Sequence, residues 1–418
     1  MVRMNILLIN HYAGSVRHGM EYRPYYLARE WVRLGHRVHI LAASYSHLRT
    51  RSPELGDRDR IDEVIDGIHY TWFATPSYQS NGYARLRNIM AFVNRLFQES
   101  RDIVRCTSPD VVIASSTYPL DIFPARHIAC LAGARLLFEL HDLWPLSPIE
   151  LGGYSRWHPF IMILQAAENH ACRHADDIVS ILPKVANHLQ AHGMAPDKLH
   201  IVPNGADPDE WSLRSPAPPA LLDTFLTQMH EENKFVVGYA GSHGSANALG
   251  VLLDAASLLR DHPIVFVLVG SGTEKMALQK HAIAMGLKNV HFFDPIPKCQ
   301  IPAYLRAVEL AFIGWQKQPL YRFGIAPNKL VDYMMAGRPI LHAVEAGNDL
   351  VAEAGCGLTV APESPRAIAD GVLSLMSLSQ DARDAMGERG RQFALSELSY
   401  SVLGQRFLSI LSGASNHG

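Results

Sequence analysis

The sequence predicts an α/β fold of two doubly wound parallel sheets, and three observations carry that prediction. Apolar runs of strand length alternate with helical patterns along most of the chain. The runs are continuous rather than broken by a polar residue at every second position, as strands covered on both faces by crossover helices must be. A proline-rich stretch then divides them into two sets.

In the first set strands are expected at "NILLIN", "RVHILAA", "DVVIASS", "RLLFEL", "DIVSIL" and "LHIVPN". In the second they are expected at "KFVVGYA", "IVFVLVG", "NVHFFD", "LAFIG", "PILHAV" and "GLTV". "VIDGIHYTWF" departs from the pattern: its Asp66-Gly67 pair suits a hairpin turn, so an antiparallel addition is expected there. "SLRSPAPPALLDTF" holds Pro216, Pro218 and Pro219, none of which fits a central strand or a helix interior. The reading is a first domain over residues 1–212, a linker over 213–233 and a second domain over 234–396, with a helical stretch at about 397–418 that packs back on the first. Ligands of such sheets bind at the carboxyl ends of the strands beside the switch point, so two such domains facing each other would enclose a cleft there.

A chain of 418 residues is too long for one ordinary core, and 48% hydrophobic with 19% charged residues fits a folded globular protein. A net charge of −2 gives no argument for nucleic acid as a partner. Cys106, Cys130, Cys172, Cys299 and Cys356 are odd in number and scattered, so no disulfide framework is expected. No apolar run approaches ~18 residues, and "NILLIN" is too short for a signal segment, so the expected location is cytoplasmic.

The loops at the strand ends hold the candidate chemistry. In "KFVVGYAGSHGSANALGVLLDAASLL" a strand runs into a Gly-rich loop with Gly241 and Ser242, then into a helix. Such a loop suits an anion approached by backbone N–H groups, and equally a plain tight turn. Gly270 in "VLVGSGTEK" repeats the theme, with the same two readings. In "YRFGIAPNKLVDYMMAGRPIL", Pro327 suits a helix start and Gly337 a helix stop. Lys329 then sits at a helix N-terminus, where it opposes the macrodipole at about 0.3–1 kcal/mol unless an anion docks there. Arg322 precedes the loop, and Asp332 shares a helix face with Asn328, one turn on, where a carboxylate suits the vicinal hydroxyls of a ribose. The alternative is a solvent-facing lysine and aspartate.

The last stretch resembles the signature region of the large fourth family of retaining glycosyltransferases, also called glycosyltransferase group 1. "VDYMMAGRPI" matches the closing half of the family's Glu-x7-Glu motif, with Asp332 at the second Glu and Gly324 where the first would stand. The family's basic Arg/Lys pair has no counterpart in "GYAGSHGSANAL". "PNKLVDYMMAG" and the opening "HYAGSVRHGMEYRPYYLAREWVRLGH" are similar to the branch in bacterial surface-polysaccharide pathways that transfers N-acetylated amino or deoxyamino sugars of the fucosamine type.

The resemblance implies the GT-B fold, two Rossmann-like domains facing across a cleft, with the acceptor on the first and a nucleotide sugar, UDP-linked by family habit, on the second. It implies no cofactor and no metal. Donor contacts would come from Gly14, Gly241, Ser242, Gly270, Arg322, Gly324, Asn328 and Asp332, with Lys329 and His141 in the catalytic roles. His141 ends the strand "LLFEL", and family members often carry a His at the matching place close to the donor sugar; the alternative is a structural His bonded to Asp142. His18, Glu21 and Arg23 at the helix entrance would lie on the acceptor side, or form a plain helix start. "IVPNGADPDEW" resembles the family's Pro-Asn-Gly-x-Asp segment, with Asn204 and Asp207 shaping the cleft or ending the domain.

The Asp-x-Asp pairs at Asp57/Asp59 and Asp207/Asp209 read as a solvated loop and a turn, and the 21 His residues show no metal spacing, so no metal site is expected. "RLRNIMAFVNRLFQESRDIVR" sets Ile89, Met90, Phe92, Val93, Leu96 and Phe97 among Arg85, Arg87, Arg95, Arg101 and Arg105. That pattern suits either peripheral contact with an anionic membrane, as a lipid-linked acceptor would require, or a crossover helix packed on the sheet. Two rivals to glycosyl transfer to a glycan or lipid-linked acceptor stay open: a nucleotide-sugar epimerase of the same fold, and a non-catalytic partner subunit.

Overall fold

The computed structural model describes residues 3–20, 22–79, 82–211 and 215–413. It divides into two units, residues 1–203 with 400–418, and residues 204–399.

The first unit is built on eight strands: β1 (Asn5–Ile9), β2 (Arg37–Ala43), β3 (Arg60–Ile65), β4 (Ile68–Phe73), β5 (Val111–Ala114), β6 (Arg135–Leu140), β7 (Asp177–Ser180) and β8 (Leu199–Ile201), in the order β3-β4-β2-β1-β5-β6-β7-β8. All neighbours are parallel except β3 and β4. These two form the hairpin expected from Asp66-Gly67: Ile65 pairs with Ile68, and the turn residues take φ of 49° and 80°. β1 sits between β2 and β5, which makes its carboxyl end the switch point. The second unit has β9 (Phe235–Ala240), β10 (Ile264–Val269), β11 (Val290–Phe293), β12 (Leu310–Gly314), β13 (Ile340–Ala343) and β14 (Gly357–Thr359), all parallel, in the order β11-β10-β9-β12-β13-β14. Its switch point lies between β9 and β12. Every residue of β9, β10, β12 and β13 is buried, so their continuous apolar runs match sheets covered on both faces.

The helices that bear on the argument are α1 (Arg23–Arg33), α2 (Tyr83–Gln98), α3 (Pro159–His174), α4 (Ala186–Ala191), α5 (Ala220–Glu231), α6 (Asn328–Met335) and α7 (Tyr400–Leu411). α7 completes the core of the first unit. Trp31 Nε1 of α1 donates to the Gly404 carbonyl at 3.1 Å, Tyr26 stacks on Tyr400 at 4.8 Å, and Leu403, Phe407 and Leu411 are buried.

Two expectations change. The stretch 213–233 is not a bare linker: after Pro219, α5 forms and puts Leu222, Leu226 and Met229, an i, i+4, i+7 stripe, into the core of the second unit. Residues 204–211 also belong to that unit, where Ala206 N–H bonds to the Leu398 carbonyl at 3.0 Å and Trp211 is buried. Much of the apolar face of α2 packs inward, with Ile89, Phe92, Val93 and Leu96 buried in the first unit, while Met90 and Phe97 stay exposed and Arg95 pairs with Asp59. Among the described residues, no helix is long and apolar enough to cross a membrane.

Candidate functional site

In the second unit the chemistry gathers at the β9/β12 switch point. The buried strand β9 delivers Gly241, with φ of +151°, to the carboxyl edge of the sheet. A β-carbon on Gly241 would meet Lys329 Nζ at 2.9 Å, so the lysine passes directly over the glycine. Gly270 is explained by packing: a β-carbon there would lie 1.9 Å from the Gly241 carbonyl oxygen, where the loops after β9 and β10 cross.

The start of α6 is held in place from three sides. Asn204 Nδ2 donates to the Ala326 carbonyl at 2.8 Å, and Ile325 N–H donates to Asn348 Oδ1 at 2.7 Å, fixing the loop before the helix. Tyr333 Oη accepts from Ala240 N–H at 2.8 Å, tying the helix to the end of β9. Pro327 precedes α6 with extended φ and ψ of −75° and 129°, and no side chain caps the helix. The amides of Asn328 and Lys329, the first two residues of α6, have no intrahelical acceptor and carry the positive end of the dipole.

Lys329 Nζ donates to Tyr239 Oη and Asn247 Oδ1, each at 2.9 Å, and sits 4.2 Å from the Tyr239 ring centre. Among the described residues no carboxylate pairs with it, and burial alone pulls its pKa down to about 7. His243, in the same loop, is fully buried with neither ring nitrogen hydrogen-bonded. Burial first, then the charges of Lys275 and Lys329, push its pKa to about 4, so the imidazole is neutral. Asp332, half-buried one turn into α6, is pushed up to about 7 by burial, with Lys298 opposing and Glu210 adding. The arrangement is a buried lysine and helix amides with no carboxylate pairing with the lysine among the described residues, and a carboxyl one turn into the same helix suited to accept from hydroxyls.

Other expected donor contacts lie differently. The amides of Gly241 and Gly324 are already engaged, donating to the Val269 carbonyl at 3.0 Å and the Tyr321 carbonyl at 2.9 Å. Arg322 is exposed, bonds the Pro319 carbonyl at 2.6 Å and covers the Phe323 ring at 4.4 Å. Ser242 is exposed, and its carbonyl accepts from Tyr239 Oη at 2.6 Å.

In the first unit His141 follows β6, but its partner is not Asp142. His141 Nε2 lies 3.2 Å from Glu139 Oε2 and 3.0 Å from Ser115 Oγ. Asp142 instead shapes its own loop, accepting from Leu143 N–H at 2.8 Å, Trp144 Nε1 at 3.0 Å and Ser147 Oγ at 2.6 Å. Burial would raise the pKa of Glu139, yet the charges of Arg23 and His141 hold it at about 2. Arg23 is itself 1% exposed: it bonds Glu139 at 2.9 Å and the carbonyls of Pro203 and Val202 at 2.6 and 2.8 Å. It is thus a buried structural cation rather than an open acceptor-side residue. His18 is also turned inward, with Nδ1 at 2.9 Å from Ser15 Oγ and its ring 4.8 Å from Trp72. Gly14 is buried and its carbonyl accepts from Tyr70 Oη at 3.1 Å, while Val16, Arg17 and Met20 of the same loop are exposed. Glu21 lies outside the described residues.

Of the Asp-x-Asp pairs, Asp59 is bound to Arg95 at 2.8 Å and Asp207 accepts from Asp209 N–H at 3.3 Å. The side chains of metal-ligating type that do come together among the described residues are Glu168, His188 and His192 of the first unit. The four-residue spacing of His188 and His192 was legible in "NHLQAH", so the expectation of no metal spacing is corrected. The sequence reading also missed Tyr239, His243 and Asn247, which surround Lys329, and Glu139, which holds His141. Glu139, a charged residue inside an otherwise apolar strand run, was the clearest unused signal.

Two doubly wound parallel sheets, with an uncompensated cation at the switch point of the second, define a class of α/β proteins that hold phosphorylated ligands at strand ends. Residues 18–205 match the family described as glycosyl transferase 4-like domain, and residues 234–378 match glycosyl transferases group 1. Together these segments take in well over half of the chain, which belongs to the glycosyltransferase group 1 family of GT-B proteins. It is 25% identical over 260 residues, 60% of this chain and 63% of the relative, to WcaI of Escherichia coli K12, named as a glycosyl transferase of colanic acid biosynthesis. It is 22% identical over 215 residues, half of each chain, to TuaH of Bacillus subtilis 168, named as a glycosyltransferase of teichuronic acid biosynthesis. The matches thus span between half and two thirds of these relatives' length. The crystal structure of Anabaena HepE in complex with UDP and glucose has the same fold, with a TM-score of 0.67 at 16% identity over 98% of this chain and 100% of that one.

Proposed function

We propose that the chain is a retaining glycosyltransferase that moves an N-acetylated amino or deoxyamino sugar from a UDP-linked donor to a glycan or lipid-linked acceptor in bacterial surface-polysaccharide biosynthesis. The observation that carries the reading is Lys329: a buried amine held against Gly241 at the start of α6, with no carboxylate partner among the described residues. The names of WcaI and TuaH support the pathway, and the UDP bound by HepE supports the base.

In this reading the donor's diphosphate settles on the amides of Asn328 and Lys329, and Lys329 takes up a proton to meet it. Asp332 accepts from the ribose hydroxyls. As the bond to the sugar breaks, negative charge grows on the leaving diphosphate, where a fixed cation and helix amides stabilise it most; one such donor is typically worth about 3–4 kcal/mol of barrier. A phosphate oxygen takes the acceptor's proton on the face the leaving group quits, which gives retention. His141, oriented by Glu139, holds the sugar. The charge demand is met by Lys329 and α6, so this step assigns no work to a metal.

The test is a thermal-shift panel of UDP-, GDP- and dTDP-linked sugars. Ligand at about 100 times its Kd stabilises the native state by roughly 2.7 kcal/mol. One UDP-sugar should raise the midpoint of the wild type and not that of Lys329→Ala. A panel in which no nucleotide sugar moves the wild-type midpoint overturns the reading.

A further inference from the structure

We propose that Glu168, His188 and His192 form a zinc site that pins α4 to α3 in the first unit, a site separate in sequence from the residues assigned to the donor. Glu168 is fully buried on α3. His188 lies on α4 and His192 caps its end, so the four-residue spacing sets both rings on one side, with ring centres 4.6 Å apart. His188 Nε2 is 2.9 Å from Glu168 Oε1, and His192 Nε2 is 3.9 Å from Glu168 Oε2. Around a tetrahedral zinc with bonds of about 2.0–2.1 Å, neighbouring ligand atoms stand roughly 3.3 Å apart. The two observed separations run to the two different oxygens of Glu168 and fall on either side of that value.

The surrounding hydrogen bonds leave a place for a cation. Gln165 Nε2 has three neighbours: Glu168 Oε2 at 2.7 Å, Asn169 Oδ1 at 2.9 Å and His192 Nδ1 at 3.0 Å. Its two hydrogens go to the two oxygens. With the hydrogens so assigned, His192 Nδ1, 2.8 Å from Asn169 Oδ1, donates to that oxygen. With that assignment a neutral His192 presents its Nε2 lone pair towards the Glu168 carboxylate, while His188 Nε2 donates to Glu168 Oε1 at 2.9 Å with a proton that zinc would displace. A ligand imidazole with its far N–H anchored to an amide oxygen is the outer-shell arrangement of metal-bound histidine. Two imidazoles and one carboxylate suit zinc over magnesium or calcium, which select all-oxygen sites. Three protein ligands leave the fourth position for water.

The test uses the full-length, untagged protein stripped with EDTA. Equilibrium dialysis against Zn²⁺ with elemental counting should find about one zinc per wild-type chain. Zinc should raise the wild-type thermal midpoint, and Co²⁺ substitution should give the visible absorption of a tetrahedral site. His192→Ala should bind zinc at least ten-fold more weakly while matching the circular dichroism of the metal-free wild type. Wild type that binds no more zinc than the His188→Ala/His192→Ala double variant overturns the proposal. If the variants do not fold, the cobalt spectrum of the wild type decides it alone, and a spectrum of octahedral aqueous cobalt overturns it.

Discussion

A β-carbon placed on Gly241 would collide with Lys329, meeting Cε at 2.8 Å and Nζ at 2.9 Å. The glycine and the lysine are therefore one device: the missing side chain at the end of β9 is the space through which the ammonium reaches the switch point.

Gly241→Ala should damage that device in two ways. A φ of +151° is unfavourable for an L-residue at about 1–3 kcal/mol, and the new methyl group displaces Lys329. Thermal unfolding should show the loss of stability. Steady-state kinetics should show turnover at least ten-fold lower. Unchanged turnover would detach the glycine from the lysine's role.

Lys329 sets stability against function. Its folded pKa of about 7 lies below the ordinary lysine value, so the unfolded chain binds more protons between about pH 7 and 10.5, and stability rises with pH across that window. Lys329→Met removes the buried charge. It should raise the midpoint of the ligand-free protein at pH 7 by roughly 2–4 °C per kcal/mol gained, yet abolish the shift produced by a nucleotide sugar.

UDP binding should take up protons at pH 8, because a diphosphate polyanion beside Lys329 draws the amine back to its ammonium form. Titration calorimetry in buffers of different ionisation heat measures this directly. Heats independent of buffer would mean that the nucleotide does not reach Lys329.

Asp332, held up at about 7, makes the folded state bind more protons between about pH 3.8 and 7, so its contribution to stability falls as pH rises through that range. Asp332→Asn should flatten that slope. In a comparison of UDP with 2′-deoxy-UDP, the wild type should prefer UDP by ten-fold or more, as hydrogen bonds to a charged group are worth about 1.5–3 kcal/mol. The variant should lose the preference.

Arg23→Met should destabilise the first unit by about 3–5 kcal/mol, because it leaves Glu139 buried without its cation. The Glu139 carboxylate, held at about 2, stabilises the wild type above its ordinary pKa and loses that contribution as pH falls from about 4.5 toward 2. Acid unfolding should therefore be less steep in the variant. An unchanged midpoint would return Arg23 to the surface.

The local patterns of the chain were enough to determine two parallel α/β sheets, the Asp66-Gly67 hairpin and the start of α6 after Pro327, because strand burial, turn chemistry and helix polarity are written in neighbouring residues. Which glycines face a ligand was not legible: Gly241 yields to Lys329, 88 positions further on, and Gly270 yields to Gly241. The inward turn of Arg23 and His18, the join of Glu139 to His141, and the meeting of Glu168 with His188 and His192 were likewise decided only by the tertiary structure. A charged side chain's role depends on which distant partner shares its burial, and burial is a property of the packed molecule rather than of the sequence beside it.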